Sequence, residues 1–206
     1  MHHEVTHPCI QHKLALIRDT QTGHKEFREL ATEITMLVCY EALKEIRVRD
    51  VDVETPLTTA RCRVIDEDIV VVPILRAGVG MLDGILALVP SARVGFVGLE
   101  RNEETALPST YYNKMPYQIR GGISIIVDPM LATGGSTNAA IDMLKAQGAE
   151  RIVVVCIVTC PDGLQAVEQA HPDVSIYAAS VDPELNERKY IVPGLGDAGD
   201  RLYGTI

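Results

Sequence analysis

The segment 123–137, I-S-I-I-V-D-P-M-L-A-T-G-G-S-T, restricts the fold more than any other stretch of the chain. Ile123 to Val127 is rich in branched apolar side chains and makes a short buried strand, which must stop at Asp128. After the glycine pair, Ser136, Thr137, Asn138, Ala139, Ala140, Ile141, Met143 and Leu144 set up a helix, so the loop itself is the helix N-terminus. Unpaired backbone N–H groups and the positive end of the helix dipole meet there, beside the hydroxyls of Thr133, Ser136 and Thr137. A phosphate monoester fits such a place. A Walker loop needs a lysine before the hydroxyl residue and the dinucleotide fingerprint needs G-x-G-x-x-G, and neither pattern is present. What remains is a carboxylate beside a phosphate cup. That spacing suits a sugar phosphate, with Asp128 on its hydroxyls. The same residues also fit an ordinary strand-to-helix turn, so the rest of the chain must decide.

A second unit of the same kind precedes it. Residues 69–75 form a buried strand, in which Pro73 points to an edge or a bulge. The loop R-A-G-V-G, Arg76 to Gly80, then leads into a helix over 81–88. Arg76 supplies a forked cation suited to phosphate oxygens. Further strands are expected at 94–99, 151–158 and 174–178, with a helix at 162–170. Strands alternating with helices imply an α/β fold, a mostly parallel twisted sheet with helices on both faces. Ligands of such sheets bind beyond the C-terminal strand ends, where the segments carrying Arg76, Arg101 and Asp128 all finish.

The remaining stretches carry less signal. Helices are expected at 13–19 and 25–47, the second with one continuous apolar face, and a strand pair at 51–65. His2, His3 and His7 precede the first periodic segment and read as a mobile tail. The polar stretch from Glu100 to Gly122 is long for a connection; within it Tyr111 and Tyr112 suit either hairpin packing or a lid. The tail Y-I-V-P-G-L-G-D-A-G-D-R, Tyr190 to Arg201, reads as neither a stable helix nor a central strand. It reads as an ordered loop offering backbone groups to a ligand.

At 206 residues and 47% apolar, the chain is most simply one domain with an adequate core. A net charge of -9 opposes general attraction to nucleic acid or an anionic membrane, so a few placed cations must hold any anionic substrate. Five cysteines without a C-x-x-C pair read as reduced residues of a cytoplasmic protein. No run is apolar enough for a membrane span, and a signal peptide pattern is absent.

The string V-D-P-M-L-A-T-G-G-S resembles the phosphoribosyl pyrophosphate (PRPP) motif of type I phosphoribosyltransferases, in the form found in the uracil phosphoribosyltransferase family. Q-H-K-L near the N-terminus, the Arg76 loop and the C-terminal segment extend the resemblance over nearly the whole chain. It implies a single phosphoribosyltransferase domain over 1–206, with an N-terminal helical segment at 13–47 and a base-binding hood at 183–206. It also implies transfer of the 5-phosphoribosyl group from PRPP to uracil, giving UMP and pyrophosphate. Arg76 and Arg101 would then contact pyrophosphate, and residues 103–117 would be a flexible loop closing over the centre. Asp128 would bind the ribose hydroxyls, and Pro129, Met130, Leu131, Ala132, Thr133, Gly134, Gly135 and Ser136 would cradle PRPP. Uracil would meet the carbonyl of Ile191 and the amides of Gly196 and Ala198, with Asp197 reaching the PRPP side through metal or water.

Two departures matter. Other members of the type I superfamily usually carry a second acidic residue where Pro129 stands, so Mg2+ is expected to arrive on PRPP with no direct protein ligand. They also carry an aspartate where Ala132 stands, which serves purines, so Ala132 favours a pyrimidine. The resemblance further implies a homodimer or higher homo-oligomer and is compatible with GTP as an activator. No residue is placed as a general base. A purine phosphoribosyltransferase would share the central loop, and an RNA-binding regulator of the same fold would need a basic face that this chain lacks.

Overall fold

The computed structural model describes residues 1–101 and 108–205. In chain order the elements are β1 (His2–Glu4), α1 (Pro8–Arg18), α2 (His24–Ala42), β2 (Val48–Glu54), β3 (Thr59–Ile65) and β4 (Ile69–Leu75). After a 3-10 turn at Ala77–Met81 come α3 (Leu82–Leu88), β5 (Arg93–Val94), β6 (Phe96–Arg101), β7 (Pro108–Lys114), β8 (Ile123–Val127) and β9 (Met130–Leu131). The chain closes with α4 (Gly135–Ala146), β10 (Arg151–Thr159), α5 (Pro161–Ala170), β11 (Ser175–Val181), β12 (Glu184–Leu185), β13 (Ile191–Val192) and α6 (Ala198–Tyr203). Among the described residues no helix is long and apolar enough to cross a membrane.

The main sheet runs β1-β11-β10-β8-β4-β6-β7, with β5 beside β4 and β9 beside β10. Every pairing in it is parallel except β6 with β7. Strand β8 is central: Ile123 is in register with Ile69 on one side and Arg151 on the other, and Val127 with Pro73 and Val155. Strands β4 and β8 therefore end together, and Arg76 and Asp128 leave the sheet at the same edge.

Burial on both faces explains why these strands read as continuous apolar runs. Ile69, Val71, Ile125, Val127, Val155 and Ile157 face α1, α2, α3 and α6, while Val70, Val72, Ile126, Val154, Cys156 and Ile176 face α4 and α5. Each fully buried branched side chain contributes about 1.5–3 kcal/mol relative to exposure.

Several elements differ from the sequence reading, each for a local reason. The N-terminal residues are an ordered edge strand, not a mobile tail. His2–Glu4 pairs in parallel with β11, His3 stacks on Tyr177 at 4.5 Å, and the His7 ring accepts the Cys9 amide at 3.2 Å to cap α1. Helix α1 accordingly starts at Pro8, whose missing N–H is harmless in a first turn. Pro73 lies inside the sheet, not at its edge. The Val71 carbonyl accepts the Gly95 amide, and Pro73, two residues on, turns its absent donor to that same side, where β5 has ended and β6 has yet to begin.

The supposed long polar connection is partly strand. β7 returns antiparallel on β6, and a Cβ on Gly98 would meet the Tyr111 ring at 2.6 Å and the Tyr112 side chain at 2.9 Å, which is the hairpin-packing reading of those tyrosines. The cysteines are all free; Cys39, Cys156 and Cys160 are buried and Cys9 is exposed.

Candidate active site

Asp128 follows the last residue of β8 and its Oδ1 accepts the Met130 amide at 3.3 Å. Burial pushes its pKa up to about 7, and that one hydrogen bond only partly opposes the shift. The next residues turn their carbonyls inward: Pro129 O accepts the Ile157 and Val158 amides, Leu131 O the Thr159 hydroxyl and Ala132 O the Cys160 thiol. Pro129 and Leu131 are buried. Of the stretch 129–132, only Met130 and Ala132 line the cavity in front of Asp128.

Gly134 takes a left-handed φ of 79° and starts α4, and no side chain caps that start. A Cβ on Gly134 would stand 2.9 Å from the Ala166 Cβ, so the residue both turns the chain and admits α5. The first amides of α4 are thus free for an anion, flanked by exposed Thr133 and Ser136. The third hydroxyl named in the sequence reading is elsewhere: Thr137 is 2% exposed and belongs to the interior.

The C-terminal segment is more structured than its glycines implied. β12 and β13 pair through Glu184 with Val192 and Leu185 with Ile191, and residues 198–203 form α6, where the sequence pointed to no helix. The helix forms because Asp197 caps it, its Oδ1 accepting the Asp200 amide at 3.0 Å, and because Leu202 is buried in the core beneath. The signal was present as D-A-G-D but lay hidden among the glycines. Asp197 therefore has a capping duty besides any contact with substrate.

One cavity of about 390 Å3 joins these parts. Asp128, Met130, Ala132 and Thr133 form one wall, and Ile191, Gly196, Asp197, Ala198 and Gly199 the other. Arg76 stands at the rim, exposed, with Nη2 3.4 Å from Asp200 Oδ1, and its carbonyl accepts the Tyr203 hydroxyl at 3.0 Å. The side chain of Arg101 and residues 102–107, which include the first third of the expected closing loop, lie outside the described residues; residues 108–114 of that loop are strand β7.

Sequence reasoning missed Arg188 and Lys189, which line the same cavity together with Tyr190, the first residue of the glycine-rich tail. The available signal was two adjacent cations directly before the glycine segment of an acidic chain. It also missed the anchor of the hood. Arg18 donates to both Asp182 oxygens, at 2.8 and 2.7 Å, and to the Gly194 carbonyl at 2.9 Å, while the Gly194 amide donates to Asp182 at 2.8 Å. A larger cavity, about 490 Å3, lies behind residues 193–196 and includes Arg18 and Arg201. Both guanidiniums there are already engaged, Arg201 by the carbonyls of Leu195 and Asp19. The smaller cavity, which holds the raised carboxyl and Thr133 at the approach to α4, is the candidate chemical site.

Gly194 is the tightest point of the hood. Its φ is 59°, and a Cβ there would stand 2.1 Å from the Ile191 carbonyl oxygen. Gly194→Ala is expected to displace that carbonyl and to destabilise the fold by about 1–3 kcal/mol. Denaturant melts of the two proteins would check it; an unchanged midpoint would contradict it.

Strand order, sheet edge and cavity together describe a phosphoribosyltransferase-type fold. The structure is similar to hypoxanthine-guanine phosphoribosyltransferase from Bacillus anthracis at a TM-score of 0.53 and 15% identity, covering 82% of this chain and 83% of that one. It is far more similar to a protein from Aquifex aeolicus, at a TM-score of 0.94 and 40% identity over 100% and 99% of the two chains. The sequence profile described as Uracil phosphoribosyltransferase matches residues 4–205. Proteins of that name from Symbiobacterium thermophilum and Clostridium botulinum are 54% and 52% identical, over 98% of this chain and 97% of each of theirs. The chain belongs to the uracil phosphoribosyltransferase family and is an enzyme of the phosphoribosyltransferase class.

Proposed function

We propose that the chain transfers the 5-phosphoribosyl group of PRPP to uracil, releasing pyrophosphate and forming UMP, with its substrates held in the 390 Å3 cavity. The observation that carries this reading is the continuity of that cavity. It runs from a strand-end carboxylate and Thr133, the residue just before the uncapped start of α4, to a wall formed by residues 188–191 and 196–199.

The amides of Gly134 to Ser136 and the Thr133 hydroxyl anchor the 5-phosphate. Asp128 accepts from the ribose hydroxyls and stands near the positive charge that grows on the sugar as the anomeric C–O bond breaks. Arg76 faces the leaving pyrophosphate, and the family resemblance assigns Arg101 to the same group. Uracil offers two carbonyls with an N–H between them, and the Gly196 amide, the Ile191 carbonyl and the Ala198 amide answer in that order. Cytosine reverses two of those three characters and would leave buried groups unpaired.

Asp128 stands alone where a carboxylate pair would hold a metal, and among the described residues no three His, Cys, Asp or Glu converge. These residues fit a cation that enters on its substrate: Mg2+ carried by PRPP supplies charge neutralisation to the departing pyrophosphate.

The setting we propose is a cytoplasmic enzyme acting as a homodimer or larger homo-oligomer, apart from nucleic acid and membrane, with GTP as a candidate activator. Support for self-association comes from the β2–β3 hairpin. It exposes Val48, Val53, Val64 and Ile65, and Leu57 at its tip is 96% exposed; such a two-stranded ribbon is marginal by itself.

The test is UMP formation from PRPP and Mg2+ with uracil, cytosine, hypoxanthine and orotate in parallel, with and without GTP. Uracil alone should turn over. Arg76→Ala should raise the KM for PRPP by roughly ten- to a hundredfold, as expected for a charge-assisted contact. Preference for another base would overturn the hood assignment, and failure with every base would overturn the activity.

A further inference from the structure

Lys189 is the one non-glycine residue with a positive φ among the described residues, at 66°. Glycine and asparagine occupy that region readily, whereas a long side chain is disfavoured there. The surrounding loop enforces the conformation. The Asn186 side-chain oxygen accepts the amides of Arg188 at 2.9 Å and Tyr190 at 3.0 Å, the Lys189 amide donates to the Asn186 carbonyl at 2.9 Å, and the Asn186 amide donates to the Tyr190 carbonyl at 2.8 Å. Every backbone bond of this turn is compatible with glycine at 189, so the loop by itself does not call for lysine.

The position does. Lys189 lines the cavity that holds Asp128 and Thr133, and its ammonium makes no ion pair or hydrogen bond among the described residues. Arg188 beside it is equally without a partner among them. The rim arginine, by contrast, is already within reach of Asp200. In a chain of net charge -9, with Asp128 and Asp197 in the same cavity, an unpaired cation held in a disfavoured backbone conformation serves an anion that arrives from outside.

We propose that Lys189 is a substrate-binding residue that contacts the 5-phosphate shared by PRPP and UMP. This rests on the PRPP and uracil reading given above. The 5-phosphate is favoured over pyrophosphate because Thr133, at the phosphate cup, shares the cavity with Lys189, while Arg76 does not line it. The chemistry fits as well, since an ammonium on a flexible four-carbon stem acts as a point charge that follows a phosphate without fixed geometry. The contact would link the hairpin that carries Lys189 to the opposite wall of the cavity.

The test measures UMP dissociation constants by calorimetry for the wild-type protein, Lys189→Asn and Lys189→Arg, each at low and high salt. Asparagine accepts the positive φ without the charge, so the variant is expected to melt no lower than wild type. It should bind UMP about tenfold more weakly at low salt, the size of an exposed charge-assisted contact, and with a shallower salt dependence. Arginine should restore most of the affinity. Wild-type affinity in Lys189→Asn, or a loss that arginine fails to restore, would overturn the proposal while leaving the uracil and PRPP reading intact. A wild-type protein that binds no UMP would overturn that reading and this proposal with it.

Discussion

Asp128→Asn is expected to make the protein more stable above neutral pH and nearly inactive. Burial raises this carboxyl from an ordinary 3.8 to about 7. Between those two values the folded protein holds a proton that the unfolded chain has released, so stability falls as pH rises through the window. Above it, the native state bears the whole cost of an ionised and poorly solvated group. At ~1.36 kcal/mol per unit the cost is about 4 kcal/mol as an upper bound, because Asp128 opens on one side to the cavity.

Asparagine keeps the shape and the contact with the Met130 amide but removes the charge. Urea denaturation should show no gap between the two proteins near the ordinary carboxylate pKa. A gap of about 2–4 kcal/mol in favour of the variant should open by about pH 8. A gap that ignores pH would remove the premise. Turnover should fall by about 10²–10³-fold, the scale of removing a charge aimed at the transition state. Wild-type kcat/KM for PRPP should correspondingly climb with pH and level off above about 7. On the proposed reading, Asp128 destabilises the free protein because the reaction uses a charge where solvent is scarce.

Asp182→Ala is expected to destabilise the fold by about 3–5 kcal/mol, the range for breaking a buried ion pair from one side. Asp182 is 3% exposed and receives Arg18 twice, the Ser180 hydroxyl at 2.8 Å and the Gly194 amide at 2.8 Å. Burial alone would raise its pKa; the hydrogen bonds from Arg18, Ser180 and the Gly194 amide outweigh it and hold the carboxyl below its ordinary value. Because the folded pKa is depressed, this stabilisation is present above the unfolded value and is lost as pH falls through the folded one. The same node fixes Gly194, which lies against the Ile191 carbonyl. The KM for uracil should therefore rise under conditions where the variant is still folded. Denaturant melts at neutral pH, together with uracil kinetics, would check both parts, and a loss below about 1 kcal/mol would show that the node is not an anchor.

Much of this was legible along the chain. The runs 69–75 and 123–127 match β4 and β8 to the residue, because strands buried on both faces leave an unbroken apolar signature bounded by a charged residue at the exit. The glycine loop before α4 was equally plain, since Gly134 needs a left-handed φ that few other residues take. The order of the glycine-rich segment 190–201 was legible but its helix was not, because a six-residue helix held by one cap and one buried leucine has no period to display. The N-terminal strand was invisible for a related reason. Three polar residues carry no alternation, and only a free edge on β11 makes them a strand.

The sequence by itself determined the layers, the sheet edge where Arg76 and Asp128 emerge and the family to which the chain belongs. These depend on residue type and spacing within short windows. Only the tertiary structure decided that Thr137 turns inward, that Asp197 caps a helix, that Arg18 and Asp182 clamp the hood across 164 residues, and that Lys189 shares a cavity with Asp128 and Thr133. Each of these is a meeting of groups far apart in the chain or a choice of face. Such meetings are set by how the sheet stacks its helices and loops, and no local pattern of side chains encodes them.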